Sequence, residues 1–171
     1  MLEGVLEGLL GAFPVVVLTG ARQTGKSTLA RHLPSAQRRE YRTLDDPAQE
    51  AMARRDPVAF VEGLLGPAVL DEVQRAPDLM RAIKLAVDTD RSPGRFLLTG
   101  SSNLLLMDRV SETLAGRAVY LTLGPMTERE KRGLPPAEGW DWLMEAARPA
   151  DLVKRVGKPG SQTDWPAAVL E

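Results

Sequence analysis

The stretch Val15-Val16-Val17-Leu18-Thr19-Gly20-Ala21-Arg22-Gln23-Thr24-Gly25-Lys26-Ser27-Thr28 decides the fold. Its first four residues are continuously apolar and mostly β-branched, which suits a strand buried on both faces of a parallel sheet. Gly20 to Ser27 then matches the Walker A pattern G-x-x-x-x-G-K-S, and Lys26 to Leu33 reads as a helix stopped by Pro34. Strand, glycine-bearing loop and helix in that order make a cradle for a phosphate chain. The glycines let backbone N–H groups turn inward, and the helix start adds partial positive charge. Lys26 reaches the β- and γ-phosphates, and the Ser27 hydroxyl stands where it can coordinate Mg²⁺. The expected nucleotide contacts are therefore Gly20, Ala21, Arg22, Gln23, Thr24, Gly25, Lys26, Ser27 and Thr28, with ATP and Mg²⁺ as the ligands.

Upstream, Leu2, Val5, Leu6, Leu9 and Leu10 keep the spacing of a one-faced helix that Pro14 ends. Downstream, apolar strands and helices alternate. Glu40 to Leu44 reads as a second strand, and Pro47 and Pro57 open two helices, each behind an aspartate able to cap. Ala68-Val69-Leu70 is a brief third strand, and Pro77-Asp78 opens a helix carrying Leu79, Ile83, Ala86 and Val87 on one face. Arg95 to Thr99 reads as a fourth strand, a helix is expected from about Asn103 to Leu114, and Ala118 to Leu123 reads as a fifth strand. Such alternation predicts an α/β fold, a three-layer αβα sandwich around a mostly parallel sheet. From Gly124 onward the chain is rich in proline, glycine and charge, yet holds all three tryptophans, Trp140, Trp142 and Trp165. Large aromatics without a visible core call for a partner surface or a continuation. The expected division is thus 1–125 as the nucleotide-binding core and 126–171 as the start of a further region.

Composition removes whole classes of chemistry. The absence of cysteine excludes disulfides, thiolate metal sites and a cysteine nucleophile. Histidine occurs once, as His32, which excludes a histidine metal cluster and reads as a solvated residue near a helix end. A net charge of −1 gives no overall basic field to draw nucleic acid or anionic lipid. No apolar run approaches the roughly 20 residues that cross a bilayer, and no sorting signal is visible at the start, so a cytoplasmic location is expected.

Three further stretches carry chemistry. Asp71-Glu72, a Walker B-like pair, ends the apolar run Ala68-Val69-Leu70. An aspartate at a strand end beside a phosphate loop holds Mg²⁺, usually through water, and the glutamate after it can polarise the attacking water. Thr99-Gly100-Ser101-Ser102-Asn103 follows the next strand, where Ser101 or Ser102 could reach the γ-phosphate; a plain helix cap is the competing reading. Arg117, after Ala115-Gly116, could extend as a finger to a neighbouring subunit's γ-phosphate, with Arg109 as competitor and a solvated surface arginine as the bland reading of each. Gln74 could relay the state of the γ-phosphate, though a polar loop residue explains it as well.

In this order the pieces resemble the bacterial and archaeal AAA-type ATPases that carry a C-terminal domain of uncharacterised function. The resemblance rests on Leu18 to Leu29, on Leu44-Asp45-Asp46-Pro47 and on Val69-Leu70-Asp71-Glu72-Val73-Gln74. Leu97 to Ser102 and Leu114-Ala115-Gly116-Arg117 complete it, over roughly residues 1–130. It implies a P-loop NTPase sheet of five strands ordered 5-1-4-3-2, ATP as the nucleotide, and hydrolysis at the C-terminal edge of the sheet. It carries phosphate binding onto Lys26 and Ser27, Mg²⁺ onto Asp71, water polarisation onto Glu72, a sensor onto Ser101 or Ser102, and a finger onto Arg117. It also implies a helical lid and a C-terminal domain beyond the core, so the chain resembles an excised or truncated ATPase core. Self-association or the absent domain are the expected partners besides ATP.

Rival functions separate on single features. A GTPase needs an Asn-Lys-x-Asp guanine reader, but the one asparagine, Asn103, is followed by Leu104. A small-molecule kinase shares the phosphate loop, but Asp71-Glu72 favours water over an organic acceptor. A nucleotide-binding switch or remnant with negligible turnover remains the main alternative.

Overall fold

The computed structural model describes residues 2–101 and 113–133, with backbone alone at 128 and 129. The chain divides into two units, residues 1–127 and 128–171, and the first contains the sheet. Its helix α1 spans Leu2–Ala12 and turns its buried Leu6 and Leu10 to the sheet. Strand β1 follows at Val15–Gly20, then α2 at Lys26–His32, β2 at Glu40–Thr43, α3 at Pro47–Arg55 and α4 at Pro57–Glu62. Then come β3 at Ala68–Asp71, a 3₁₀ turn at Val73–Arg75, α5 at Leu79–Thr89, β4 at Phe96–Thr99 and β5 at Ala118–Leu123. In the second unit a single-turn helix, α6, covers Glu128–Lys131.

All pairings are parallel, in the order β2-β3-β4-β1-β5. This is the expected 5-1-4-3-2 sheet read from its other edge. β1 is an interior strand, flanked by β4 and the edge strand β5, and every one of its residues is buried. Period-two alternation deals its side chains to two cores. Val15 and Val17 join Leu70, Phe96, Leu98, Met80 and Ile83 on the face covered by α3, α4 and α5. Val16 and Leu18 join Val69, Leu97, Leu6, Leu10 and Ala30 on the face covered by α1 and α2. A strand with two apolar faces between two helical layers is what a doubly covered parallel sheet requires.

Boundaries follow local chemistry. Pro47 and Pro57 occupy the first turns of α3 and α4, and the Asp46 and Asp56 carboxylates accept the N–H groups of Ala48 and Ala59 at 2.8 and 2.9 Å. Two strands are one residue shorter than expected: β2 stops at Thr43 and β4 begins at Phe96. α5 begins at Leu79, and Asp78 makes no side-chain cap there. The helix expected from Asn103 lies outside the described residues except at its end, where Thr113 is helical, and all three tryptophans lie outside them too.

Candidate nucleotide site

The phosphate loop leaves the C-terminal end of β1 and runs into α2. Gly20 has φ 153°, and a Cβ there would come within 2.3 Å of the Leu123 carbonyl oxygen, so only glycine lets β1 end against β5. Gly25 caps α2 at φ 91°, left-handed, with no side-chain cap bond. The first-turn N–H groups of α2 thus face the loop, as an anion cradle requires.

Lys26 is 5% exposed and lies along the loop, its Nζ donating to the carbonyls of Gly20 (3.1 Å) and Ala21 (2.7 Å). Thr24 steadies the same turn by donating to the Ala21 carbonyl at 2.9 Å. Next to Lys26, the Ser27 hydroxyl donates to Oδ1 of Asp71 at 3.0 Å. Asp71, at the end of β3, is only 3% exposed and accepts two more donors, the Tyr41 hydroxyl on Oδ2 at 2.6 Å and the Thr99 hydroxyl on Oδ1. Burial first, and then its hydrogen bond to Asp71, push the Tyr41 phenol up to about 12, so it keeps its proton and stays a donor.

Glu72 sits in the left-handed region at φ 60°, a strained position for a residue with a Cβ. Its backbone N–H donates to the Thr99 hydroxyl at 3.3 Å, and its carboxylate accepts the Gln74 side-chain amide. The other amide atom of Gln74, Oε1, is buried without a hydrogen-bond partner. A cleft of about 720 Å³ opens between the two sides of this arrangement, within the size of small-molecule sites. Arg22, Gln23, Gly25, Lys26, Ser27 and Thr28 form its phosphate-loop wall. Asp45, Glu72, Gln74 and Arg75 form the opposite one. Arg75 is held at that rim by Asp45 at 2.8 Å and Glu50 at 3.3 Å.

The donor set fits a hard divalent cation. Ser27 lines the cleft and donates to Asp71, which does not line it, and Mg²⁺ usually takes one or two protein oxygens with phosphate and water completing its shell. Among the described residues there is no cluster of three or more His, Cys, Asp or Glu, so a dedicated all-protein cage is absent there.

The family profile described as an AAA domain matches residues 12–131. The chain belongs to the AAA domain family. Two curated relatives, an uncharacterized protein of Mycobacterium bovis and one of Mycobacterium tuberculosis, are each 36% identical over 135 residues. The match covers 72% of this AAA domain chain and 30% of each relative, so the chain spans under a third of their length. Among solved structures, a Walker-type ATPase of Pyrococcus abyssi superposes with TM-score 0.50 at 19% identity, over 78% of this chain and 58% of its own. A DNA replication initiation factor does so with TM-score 0.50 at 15% identity, over 90% of this chain and 56% of its own. At such identities the likeness is one of fold alone.

Within this AAA domain the sequence-predicted residues fall into three groups. Lys26, Ser27, Asp71 and Glu72 are brought together with the Gly20–Thr28 loop. Ser101 is half-buried just past the end of β4, after Gly100 donates its N–H to Leu18 at 3.2 Å, and it does not line the cleft. Ser102 and Arg109 lie outside the described residues.

Arg117 stands apart. Its neighbour Ala118 pairs with Val15, whereas the phosphate loop begins where Gly20 pairs with Leu123. Five strand steps, about 17 Å, separate the two ends. Arg117 makes a two-point ion pair with Asp88 of α5, at 2.6 and 2.9 Å, which raises its own pKa and lowers that of Asp88. It therefore cannot serve the phosphate loop of its own chain. His32 is exposed at the end of α2, its Nδ1 2.8 Å from the Thr28 carbonyl oxygen.

Two residues with no expected role, Tyr41 and Thr99, are direct partners of Asp71. Thr99 left a signal, as the polar end of an otherwise apolar strand. Tyr41 left none, because its partner is defined only once β2 pairs with β3. Among the described residues no helix is long and apolar enough to cross a membrane.

Proposed function

We propose that this AAA domain binds ATP with Mg²⁺ in the cleft and hydrolyses the bond between the β- and γ-phosphates. The observation that carries the reading is the 3.0 Å hydrogen bond from Ser27 to Asp71, with Glu72 the next residue in the chain and Lys26 the preceding one on α2. Lys26 exchanges its loop carbonyls for the β- and γ-phosphate oxygens, while the amides of the Gly20–Thr28 loop wrap the chain. Ser27 and Asp71 hold the cation, which supplies charge neutralisation for the triphosphate. Glu72 accepts the proton of the attacking water as its oxygen bonds to the γ-phosphorus and the bond to the bridging oxygen breaks. The Gln74 amide restrains one Glu72 oxygen and leaves the other for that water.

In the same reading Ser101 or Ser102 senses the γ-phosphate and Arg117 acts on the site of a neighbouring copy. Residues 1–125 form the ATP-binding core of a cytoplasmic protein, and 126–171 begin a helical lid. The clasp of Gln74 on Glu72 also favours a second reading, a nucleotide switch with negligible turnover.

Phosphate release and equilibrium binding of a fluorescent ATP analogue test both. Lys26→Ala is expected to abolish binding, and Glu72→Gln to keep binding and lose turnover. Equal ATP affinity in wild type and Lys26→Ala would sink the phosphate-loop reading. Wild-type binding with no more phosphate release than Glu72→Gln establishes the switch.

A further inference from the structure

Arg75 brings a guanidinium to the wall of the cleft that faces the phosphate loop. Its backbone is fixed. The 3₁₀ turn Val73–Arg75 is anchored in the core by Val73 and Ala76, and the Arg75 N–H donates to the Glu72 carbonyl at 3.0 Å. Arg75 therefore follows Glu72 by a single turn, and both side chains line the cleft. The side chain is held by surface partners. Nε and Nη2 each lie 2.8 Å from Oδ1 of Asp45, and Nη1 reaches Glu50 at 3.3 Å. Those partners release it readily. The Asp45 side chain is 59% exposed, so water replaces the guanidinium, and Glu50 keeps Arg54 at 2.9 Å. Exposed ion pairs of this kind contribute about 0–1 kcal/mol.

We propose that Arg75 reads the γ-phosphate within its own chain: when a nucleoside triphosphate binds, it leaves Asp45 and Glu50 and donates to γ-phosphate oxygens from the wall opposite Lys26. The inference rests on the reading of the cleft as the triphosphate site. Charge is its physical ground. The wall facing the loop carries two carboxylates, Asp45 and Glu72, the neutral Gln74, and Arg75 as the one cation among its lining residues. Without Arg75 that wall would repel the phosphate it meets. A terminal phosphate carries more charge than a carboxylate, and its oxygens match the guanidinium fork two at a time. The exchange of Asp45 for phosphate is therefore favourable, and a diphosphate, which lacks the terminal group, does not drive it. Arg117 lies at the other end of the sheet, so Arg75 is the arginine that serves the cleft without a neighbouring copy.

The test uses the full chain with fluorescent ATP and ADP analogues in Mg²⁺, so that it needs no turnover. Wild type should prefer the ATP analogue. Arg75→Ala should bind that analogue about tenfold more weakly, the scale of one lost hydrogen bond to a charged group, and the ADP analogue as wild type does. Arg75→Lys should recover only part of the loss, because an ammonium lacks the two-pronged fork. Asp45→Asn, which removes the competing partner, should raise the preference for ATP by up to about fivefold. That gain should vanish in the Arg75→Ala background. A gain that persists there shows Asp45 acting on the nucleotide directly and overturns the exchange. An ATP-to-ADP preference in Arg75→Ala equal to that of wild type overturns the contact, while loss of binding in Lys26→Ala leaves the cleft reading intact. A wild type that binds neither analogue overturns both.

Discussion

At the scale of single residues, the site is organised around one buried carboxylate. The buried Asp71 side chain accepts three hydroxyl donors, and a carboxyl group is tolerated in the interior only when so partnered. Thr99 is fully buried and serves two neighbours at once, donating to Asp71 and accepting from the Glu72 N–H. Thr99→Val keeps the shape and leaves that N–H without its partner. It is expected to cost about 1–3 kcal/mol, read as a lower urea midpoint at unchanged slope. A cost below about 0.5 kcal/mol would mean that the hydroxyl contributes little to holding the pair. Lys26, Ser27, Asp71 and Glu72 were legible because strand–loop–helix order alone puts them at one sheet edge. Tyr41 was not, since its meaning depends on a register between two strands that lie 24 residues or more apart in sequence.

At the scale of elements, the chain is punctuated by residues whose chemistry is local. Asp56 closes α3 and opens α4: its N–H donates to the Met52 carbonyl at 3.1 Å, and its carboxylate accepts from Ala59. Those two helices bring Ala53, Phe60 and Val61 into the core opposite α2. Asp56→Ala should therefore destabilise the chain by about 1 kcal/mol, with Asp56→Asn close to wild type, by thermal or urea unfolding. An alanine variant as stable as wild type would show that the cap is redundant with the proline after it. Cap and proline signals of this kind were readable, and they placed the starts of α3 and α4 to the residue. The end of β2 was less so: Leu44 still gives its N–H to the Asp71 carbonyl, in step with the ladder, but the Asp46 N–H folds back onto the Thr43 carbonyl at 3.3 Å and the chain turns into α3.

At the scale of the whole sheet, the two edges have different tasks. The C-terminal edge gathers the phosphate loop, Asp71 and Glu72, while the N-terminal edge holds Arg117 against Asp88 and ties β5 to α5. Arg117 holds the Asp88 carboxyl below its ordinary range, so the pair contributes stability above about pH 4 and loses it as the pH falls through that lowered value. Asp88→Asn should flatten this acid limb of a stability profile without changing stability's slope near neutrality. If Arg117 also acts on a neighbouring copy, Arg117→Ala should lower turnover only at concentrations where the chain self-associates, and Asp88→Asn should not. Loss of turnover in a strict monomer would count against any action between copies.

Sequence by itself determined the layered α/β class, the phosphate loop and the acidic pair, because each is written in contiguous residues whose local conformation is their function. The strand order came from resemblance: β1, β3 and β4 are equally apolar, and nothing in their composition ranks them across a sheet. Tertiary structure alone decided what surrounds Asp71 and which edge Arg117 occupies. Those facts depend on parallel pairing between distant segments, where a shift of one residue would turn Tyr41 to the opposite face and leave Oδ2 of Asp71 without its donor.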